Sequence, residues 1–418
     1  MNDKRALYKI FIPLYMSQFL AIGFLFTALV AISRDRGGSL EDISVIFVLG
    51  MVWALKFLWA PLVDRFGSKR LGHYRSWLLI TQPAAALAIV AIAPFDVIEN
   101  IWIILGLLAL VAILSSTQDI ATDALAVREM TGRSRGPING LQVGAGFVGD
   151  IIGGGLVLVL YDAFGWVPAV LSLAALTALP IYFILRHRER PADEPAPAER
   201  VRRPSVWALF HQKGAARWAF VLTPLLTLAM PGAYGLLVPI MIDGGVSVGA
   251  VGLLSNGLGG VVSMITAVAA GLLVDRMGRK RALILYSVGQ LVAIAAVLPV
   301  VTVGGLTWAL IAIVLVNVFN AGVWTIMYTI NMDYARDTNA GSDFTLQVSI
   351  SMAFRFAIAG VIANIAAAMG YAVALYVCLG LGVVGVVGVA IWYVEKRTDT
   401  SRDEVVPATA EPLSLSVS

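Results

Sequence analysis

One nine-residue stretch occurs twice in this chain, and it constrains the fold more than any other feature. Residues 62–70 read Leu-Val-Asp-Arg-Phe-Gly-Ser-Lys-Arg, and residues 273–281 read Leu-Val-Asp-Arg-Met-Gly-Arg-Lys-Arg. The copies agree at seven of nine positions and lie 211 residues apart, about half of the 418-residue chain. Each copy ends one long apolar run and precedes another. A duplicated membrane protein with two similar halves is the simplest explanation, and chance recurrence of a basic loop is the alternative.

The composition excludes a soluble globular domain. Apolar residues make up 59% of the chain and charged residues 13%, whereas soluble domains are about half apolar and about a quarter charged. The excess must therefore face lipid or other membrane helices. The net charge of +4 is explained by basic loops at an anionic membrane face, so we expect a lipid bilayer and no nucleic acid as partner. The single cysteine, Cys378, excludes an intrachain disulfide.

Twelve apolar runs are each long enough to cross a bilayer as a helix. Because every backbone amide must be satisfied inside lipid, the runs are expected to be helical. The sequence therefore predicts an all-α membrane protein with twelve transmembrane helices in two six-helix pseudo-repeats. The predicted spans are 8–32, 42–63, 75–94, 99–127, 138–160, 165–185, 217–242, 248–274, 282–302, 305–332, 344–368 and 371–394.

The polar segments between these runs divide the chain into four parts. We predict an N-terminal bundle over 1–186, a cytoplasmic linker over 187–216, a C-terminal bundle over 217–397 and a disordered cytoplasmic tail over 398–418. With both termini in the cytoplasm, 26 of the 30 Lys and Arg residues fall on the cytoplasmic side, as the positive-inside rule requires. The first apolar run is too long for a cleaved signal peptide, so it is expected to be a retained span.

Six residues of the repeated loop are predicted to form a gate. They are Asp64, Arg65 and Gly67 in the first copy and Asp275, Arg276 and Gly278 in the second. Glycine permits a tight turn between two helices. A carboxylate at a helix end can bind the N-terminus of a neighbouring helix or an arginine. Such a latch would hold one face shut and release it as the halves rock, and the alternative is a loop that only sets topology.

Five charged residues fall inside the predicted spans, namely Lys56, Asp119, Asp123, Asp150 and Arg355. A charge in a bilayer is costly, so each is a candidate functional residue. Shifting the sequence by the repeat offset gives no charged counterpart for Lys56, Asp119, Asp150 or Arg355. This asymmetry favours a specific site over a scaffold, and a structural ion pair between Lys56 and the acids is the alternative.

Span four carries Ser115, Asp119 and Asp123 at intervals of four residues, which places them on one helix face. A polar stripe on an apolar span should face a water-filled cavity. Two close carboxylates disfavour each other's charged form, so one of them can take up a proton. We therefore predict that Asp119 or Asp123 couples transport to protons.

Polar and aromatic side chains on other spans are candidate ligand contacts. Aromatic residues with polar tips suit a sizeable ligand, although helix packing explains them equally well. Lys56 and Arg355 are expected to attract carboxylates. The predicted substrate-binding residues are Gln18, Lys56, Asn317, Asn320, Trp324, Tyr328 and Arg355.

The sequence lacks the motifs that several other functional classes require. The sequence contains no phosphate-binding G-x-x-x-x-G-K-[ST] loop and no Cys/His cluster. We therefore expect that the protein does not hydrolyse ATP and holds no metal and no cofactor. The three histidines all fall in predicted loops. A membrane-embedded enzyme such as an acyl transferase would need a catalytic base within the spans. A sensor that binds its ligand without transporting it is the remaining alternative outside the transporter class.

Twelve spans, two halves and the repeated Asp-Arg-x-Gly-x-Lys/Arg-Arg loop resemble the major facilitator superfamily. Residues 53–65 and 117–127 resemble a narrower branch, which contains siderophore permeases of the RhtX/FptX type, AmpG-like muropeptide permeases and acetyl-CoA transporters. The overall similarity looks closest to the siderophore permeases. One departure follows Gln18, where Phe19-Leu20-Ala21 replaces the Gly-Leu-Pro that relatives often carry.

The resemblance implies a secondary active transporter that works by alternating access in the bacterial inner membrane. It implies proton-coupled import of a ferric siderophore by a monomer, through a cavity lined by spans one, four, seven and ten. Muropeptide uptake and efflux of a drug-like compound are the alternatives.

Overall fold

The computed structural model of the chain describes residues 2–36, 49–130, 135–189, 206–244 and 253–395. In this part of the chain, eleven helices are long and apolar enough to cross a membrane. The remaining predicted span, 42–63, is interrupted, and its first residues lie outside the described ranges. The predicted all-α membrane fold is confirmed, and we number the helical spans one to twelve in chain order.

Six spans make up the first half, and three of them are interrupted by 3-10 or π-helical turns. They are span one, Asn2–Gly23, Phe24–Ala28 (π) and Leu29–Asp35; span two, Met51–Leu55, Lys56–Leu58 (3-10) and Ala60–Arg65; span three, His73–Ile92; span four, Ile101–Glu129; span five, Arg135–Asp150, Ile151–Leu156 (π) and Val157–Phe164; and span six, Trp166–Ala178 and Pro180–Arg186. Most predicted boundaries are correct within a few residues.

Six further spans make up the second half. They are span seven, Ala215–Arg217, Trp218–Leu222 (π), Thr223–Leu226 and Met230–Asp243; span eight, Leu253–Leu258 (π) and Gly259–Met277; span nine, Arg279–Thr302; span ten, Leu306–Tyr334; span eleven, Ala340–Met369; and span twelve, Tyr371–Trp392. Short 3-10 helices at Val206–His211 and Asp337–Asn339 precede spans seven and eleven. Most of the predicted linker, 190–205, and the predicted tail, 398–418, lie outside the described residues.

The buried apolar side chains form clusters that follow the two halves, with one exception. The exception combines first-half residues such as Ile120 and Ala124 with second-half residues such as Phe344 and Val348. Large apolar side chains elsewhere are exposed, for example Leu87 at 68% and Ile265 at 61%. Because each helix satisfies its own backbone hydrogen bonds, such side chains can face lipid without cost.

Glycines let span five approach its neighbours closely. A Cβ atom on Gly149 would lie 2.2 Å from the carbonyl oxygen of Met16 in span one. A Cβ atom on Gly136 would lie 2.4 Å from the carbonyl oxygen of Gly271 in span eight, so small residues also join the two halves. The glycines of span five do not all serve this packing, because Gly155 has nothing near the position of a Cβ atom and faces open space.

The two copies of the repeated loop use different glycines to turn. Gly278 has φ +86°, in the left-handed region that favours glycine, as predicted. Gly67 does not, and the positive φ of the first loop belongs to Gly72, at +97°. Gly67 is needed for another reason, because a Cβ atom there would lie 2.5 Å from the imidazole of His73. Gly67 therefore serves this loop by its small size and not by a left-handed backbone, and its role in a gate stays a prediction.

Candidate substrate site and gate

A small cleft lies among spans seven, nine, ten and eleven of the second half. Apolar side chains such as Leu226 and Met327 form part of its wall. Its polar wall is formed by Thr227, Gln290, Asn320, Trp324 and Arg355. A mostly apolar cleft with a few convergent polar groups is the usual form of a small-molecule site.

A break in span seven places one side of this cleft. The helix ends at Leu226 and resumes at Met230, and Thr227 at the break turns its hydroxyl back to the carbonyl oxygen of Thr223, at 2.9 Å. Interrupted helices commonly mark the ligand sites of secondary transporters. The sequence carries a signal for this break, because Pro231-Gly232 follows it directly and proline is favoured at the start of a helix.

Arg355 of span eleven supplies the positive charge of the cleft. Its guanidinium carbon lies 4.2 Å from the centre of the Trp324 ring, a cation–π contact. Tyr328 packs edge-on against Trp324, with ring centres 5.5 Å apart, and lies within electrostatic range of Arg355. Arg355 forms no ion pair with a carboxylate of the described residues. The site therefore holds a positive charge that a ligand carboxylate could neutralise.

Lys56, in contrast to Arg355, is paired with a carboxylate. The 3-10 turn of span two carries it into the protein, where it is 3% exposed and its ammonium group donates to Asp119 of span four. Next to this pair, the Trp59 indole donates to the hydroxyl of Thr117 at 3.1 Å. The ion pair that the sequence allowed as an alternative is present. Attraction of substrate by Lys56 stays a prediction.

Asp123 lies one helical turn beyond Asp119 and is 1% exposed. Its carboxylate accepts a hydrogen bond from the side-chain amide of Gln142 at 2.9 Å. The buried hydroxyl of Tyr15 lies beside the Asp123 carboxylate. Lys56, Asp119 and Asp123 thus bring one positive and two negative groups into a buried position, leaving one negative charge unbalanced.

Tyr328 connects this charged cluster to the cleft. It lies within electrostatic range of Asp119, Asp123 and Arg355. Its ring also packs edge-on against Phe344, with centres 5.7 Å apart. The candidate proton site and the candidate ligand site are therefore neighbours that share a buried side chain.

The other predicted ligand residues are distributed unevenly. Asn320 lines the cleft, as the helical stripe predicted. Asn317 instead accepts a hydrogen bond from Ser263 of span eight at 2.9 Å and is buried between helices. Gln18 is 2% exposed on span one, and its amide nitrogen has no hydrogen-bond partner in the described part. The structure thus places Asn317 and Gln18 away from the described cleft.

Asp64 joins the two halves at the end of the bundle that carries the repeated loops. Its carboxylate accepts the backbone N–H groups of Gly341 and Ser342, at 3.0 and 2.7 Å, at the N-terminus of span eleven. The Tyr74 hydroxyl donates to the same carboxylate at 2.8 Å. A helix N-terminus attracts negative charge, so the contact is favourable as well as specific. These are the bonds that the sequence predicted for a latch.

The second repeated loop takes part in a larger network. Asp275 is bound by Arg279 at 3.2 Å and lies against the backbone of Gly136, where span five begins. Arg279 also binds Asp333 at 3.1 Å, and Asp333 is bound from the first half by Arg135, at 3.1 Å. The sequence analysis missed Arg135, Arg279 and Asp333 because they lie at span ends, where charges look like loop charges.

The exposed arginines of the repeated loops lie outside these networks. Arg65 is exposed, with its guanidinium carbon 5.3 Å from the centre of the Phe66 ring, and Arg276 is exposed as well. A gating role for Arg65 and Arg276 stays a prediction.

At the opposite end of the bundle, the described polar contacts stay within each half. Arg36 binds Asp96 at 2.9 Å in the first half, and Tyr371 donates to Asp243 at 2.6 Å in the second. The backbone N–H groups of Ile98 and Glu99 hold the pKa of Asp96 below its usual value, and Arg36 adds to this effect. The described polar contacts between the halves thus cluster at the repeated-loop end and hold that end closed.

Comparison with known proteins agrees with this architecture. Residues 11–353 match the family model described as Major Facilitator Superfamily. An uncharacterized protein of Haemophilus influenzae is 25% identical over 368 residues, covering 84% of this chain and 86% of that protein. The anhydromuropeptide permease of Escherichia coli K12 is 28% identical over 256 residues, which are 60% of this chain but only 52% of the permease.

Solved structures show the same fold at low sequence identity. The transporter FucP in the outward conformation superposes with a TM-score of 0.70 at 15% identity, covering 92% of this chain and 97% of that one. A bacterial homologue of the iron transporter ferroportin, in an outward-facing state, gives a TM-score of 0.66 at 16% identity, covering 94% and 99%. The family match covers most of the chain, and the fold agrees with it. The chain therefore belongs to the major facilitator superfamily and is a multi-pass membrane protein for secondary transport, not an enzyme.

Proposed function

We propose that this protein imports an anionic muropeptide together with protons across the bacterial inner membrane. The observation that carries the proposal is Arg355, a positive charge in a cleft with no carboxylate partner among the described residues. A relative covering 60% of the chain is named an anhydromuropeptide permease. A compound that combines a sugar with a carboxylate-bearing peptide suits an aromatic and cationic wall of this kind.

The aromatic residues give the cleft a second means of recognition. Trp324 lies against both Arg355 and Tyr328, and the part of its ring that lines the cleft can contact a sugar ring or an apolar peptide segment. Asn320, Gln290 and Thr227 add neutral hydrogen-bonding groups to the same wall. The charge would select for a carboxylate, and the neutral groups would orient the rest of the ligand.

Proton coupling is assigned to the cluster of Lys56, Asp119 and Asp123. Asp119 is already neutralised by Lys56, whereas Asp123 accepts a hydrogen bond from the neutral Gln142 amide and lies beside the Tyr15 hydroxyl. One proton on Asp123 would remove the unbalanced negative charge of the buried cluster. Tyr328 lies beside both this cluster and Arg355, so the charge state of one can influence the other.

The remaining assignments follow the family and the charge distribution. We place both termini and the repeated loops in the cytoplasm and treat the monomer as the working unit, with Asp64 and Asp275 closing the cytoplasmic side. Ferric siderophore import is the competing candidate, because an anionic chelate would also suit Arg355. The named relatives favour the muropeptide.

Uptake into proteoliposomes tests the proposal. Purified protein should accumulate a labelled anhydromuropeptide against its gradient when the outside is acidified, and accumulation should collapse when a protonophore is added. Accumulation of a labelled ferric siderophore, with no uptake of the anhydromuropeptide above that of empty liposomes, would contradict it.

Arg355→Ala should raise the KM for the anhydromuropeptide about tenfold or more, because a hydrogen bond to a charged group contributes about 1.5–3 kcal/mol. Arg186→Ala is a matched control, since Arg186 is an exposed arginine whose guanidinium carbon also lies over an aromatic ring, that of Tyr182, at 4.5 Å. Normal transport by Arg355→Ala would remove the proposed role of this residue.

A further inference from the structure

Asp150 has no role in the site as described so far. It ends the α-helical part of span five, directly before the π-helical turn Ile151–Leu156. Its carboxylate makes no hydrogen bond or ion pair with a described residue, and it is exposed. An unpaired carboxylate within a membrane span is costly, so such a residue is expected to meet a ligand or an ion.

The register of span five places Asp150 on the side of this helix that contacts the second half. Three helical turns earlier on the same face, Asn139 contacts the sulfur of Met332 in span ten, at 3.0 Å. Other faces of span five are occupied, because Gly149 packs on span one and Gly144 on span eight. Tyr234 of span seven lies within electrostatic range of Asp150, which places the carboxylate opposite the second half.

Tyr234 also lies within electrostatic range of Arg355. Its own side chain is only partly covered, with 37% of the residue exposed. An unpaired negative charge on span five and an unpaired positive charge on span eleven therefore lie near the same tyrosine. They belong to different halves, and neither has a salt-bridge partner among the described residues.

We propose that the chamber binds a zwitterionic substrate, with an ammonium group on Asp150 of the first half and a carboxylate on Arg355 of the second. The inference rests on the proposed function and restricts it to peptides that carry a free amine. A purely anionic ligand would bring a second negative charge towards Asp150, and a purely cationic one would leave Arg355 unpaired. A ligand with both groups neutralises both charges and connects the two halves.

Matched pairs of probes can measure this preference. One pair is an anhydromuropeptide whose peptide has a free side-chain amine and the same compound acetylated on that amine. The second pair is the same peptide without the sugar, free and acetylated. Wild-type protein should bind each free amine at least about tenfold more tightly than its acetylated partner, because a charge-assisted hydrogen bond is lost on acetylation.

The variants assign the preference to a residue. Asp150→Asn should lose the discrimination between free and acetylated probes, and Asp150→Glu should retain it. Asp162→Asn is the matched control, because Asp162 is an exposed acid on the same span. Binding is read from titration calorimetry of the purified protein, and uptake is read from proteoliposomes.

The outcomes separate this inference from the proposed function. Equal binding of free and acetylated forms in both pairs would overturn the zwitterion and leave muropeptide transport standing. An amine preference seen only with the sugar-free peptides would overturn the muropeptide and keep the zwitterion. Asp150→Asn protein that keeps the preference but loses proton-driven accumulation would show that Asp150 carries protons, which contradicts the inference. No binding of any probe would overturn both.

Discussion

At the scale of single residues, the two basic side chains inside the membrane have different surroundings. Lys56 has Asp119 at hydrogen-bond distance, whereas Arg355 has an aromatic ring and no described carboxylate. A buried ion pair stabilises little by itself, but one partner left alone destabilises strongly. The first basic residue is therefore expected to matter for stability and the second for substrate.

Removal of Lys56 tests the first part of this contrast. Lys56→Ala should reduce the free energy of unfolding by about 3–5 kcal/mol, because Asp119 is then left as an uncompensated buried charge. Thermal unfolding in detergent measures the effect. The double variant Lys56→Met with Asp119→Leu should recover most of the loss, since it removes both charges. A single variant as stable as wild type would show that the pair is not held as described.

Asp123 should be needed for coupling and not for binding. Asp123→Asn keeps the shape and can still hydrogen-bond with Gln142, but it cannot gain or lose a proton. We expect this variant to exchange labelled for unlabelled anhydromuropeptide across the membrane and to lose acid-driven accumulation. Asp162→Asn should behave as wild type in both assays. Acid-driven accumulation that survives in Asp123→Asn protein would move the proton to another group.

At the scale of elements, irregular helices place the functional groups. The 3-10 turn of span two turns Lys56 inward, and the break in span seven opens the cleft at Thr227. π-helical turns occur in spans one and five where these helices pack together. Such turns are frequent at functional sites. They change the direction of side chains while the backbone N–H and C=O groups keep their hydrogen bonds.

The contact between Asp64 and span eleven can be tested at the amides that it binds. Asp64→Asn should speed hydrogen–deuterium exchange of the amides of Gly341 and Ser342 about tenfold, because a charged acceptor becomes a neutral one. The measurement is exchange mass spectrometry on peptides from the start of span eleven. Asp162→Asn provides the control for loss of an acid, and unchanged exchange in Asp64→Asn protein would remove the latch.

The sequence predicted elements better than contacts. Hydrophobic length alone located eleven of the spans, because a bilayer demands about twenty apolar residues from any helix that crosses it. It could not show that Asp64 would reach span eleven in the other half, or that Asn317 would bond to span eight. Those contacts depend on how helices distant in sequence are packed, which no local pattern records.

At the scale of the whole molecule, the duplication appears in structure as well as in sequence. Glu189, three residues after span six, accepts the backbone N–H of Arg75 in the first turn of span three, at 2.8 Å. Glu395, three residues after span twelve, accepts the backbone N–H of Arg279 at the start of span nine, also at 2.8 Å. The halves therefore share a framework and differ in the charges inside their spans, since Lys56, Asp119, Asp150 and Arg355 have no charged counterpart in the other half.

This arrangement supplies the contacts that the proposed alternating access would break and form. The described bonds between the halves cluster at the repeated-loop end, where Asp64 and the Arg135–Asp333 pair hold the halves together. The described polar contacts at the other end stay within single halves. If the bonds of Asp64 and of the Arg135–Asp333 pair broke while each half stayed intact, the space between the halves would open at the repeated-loop end.

Sided thiol labelling of Asn320→Cys tests this account most directly. The background is Cys378→Ser, which removes the single native cysteine. A membrane-impermeant maleimide should label the cleft from the face opposite the repeated loops, and saturating anhydromuropeptide should protect it. Adding Asp64→Asn and Asp275→Asn should make the same cysteine reactive from the repeated-loop face. Two results would contradict a chamber between two halves that opens to alternate sides. One is equal labelling from both faces when Asp64 and Asp275 are intact. The other is labelling from the same face after both are replaced.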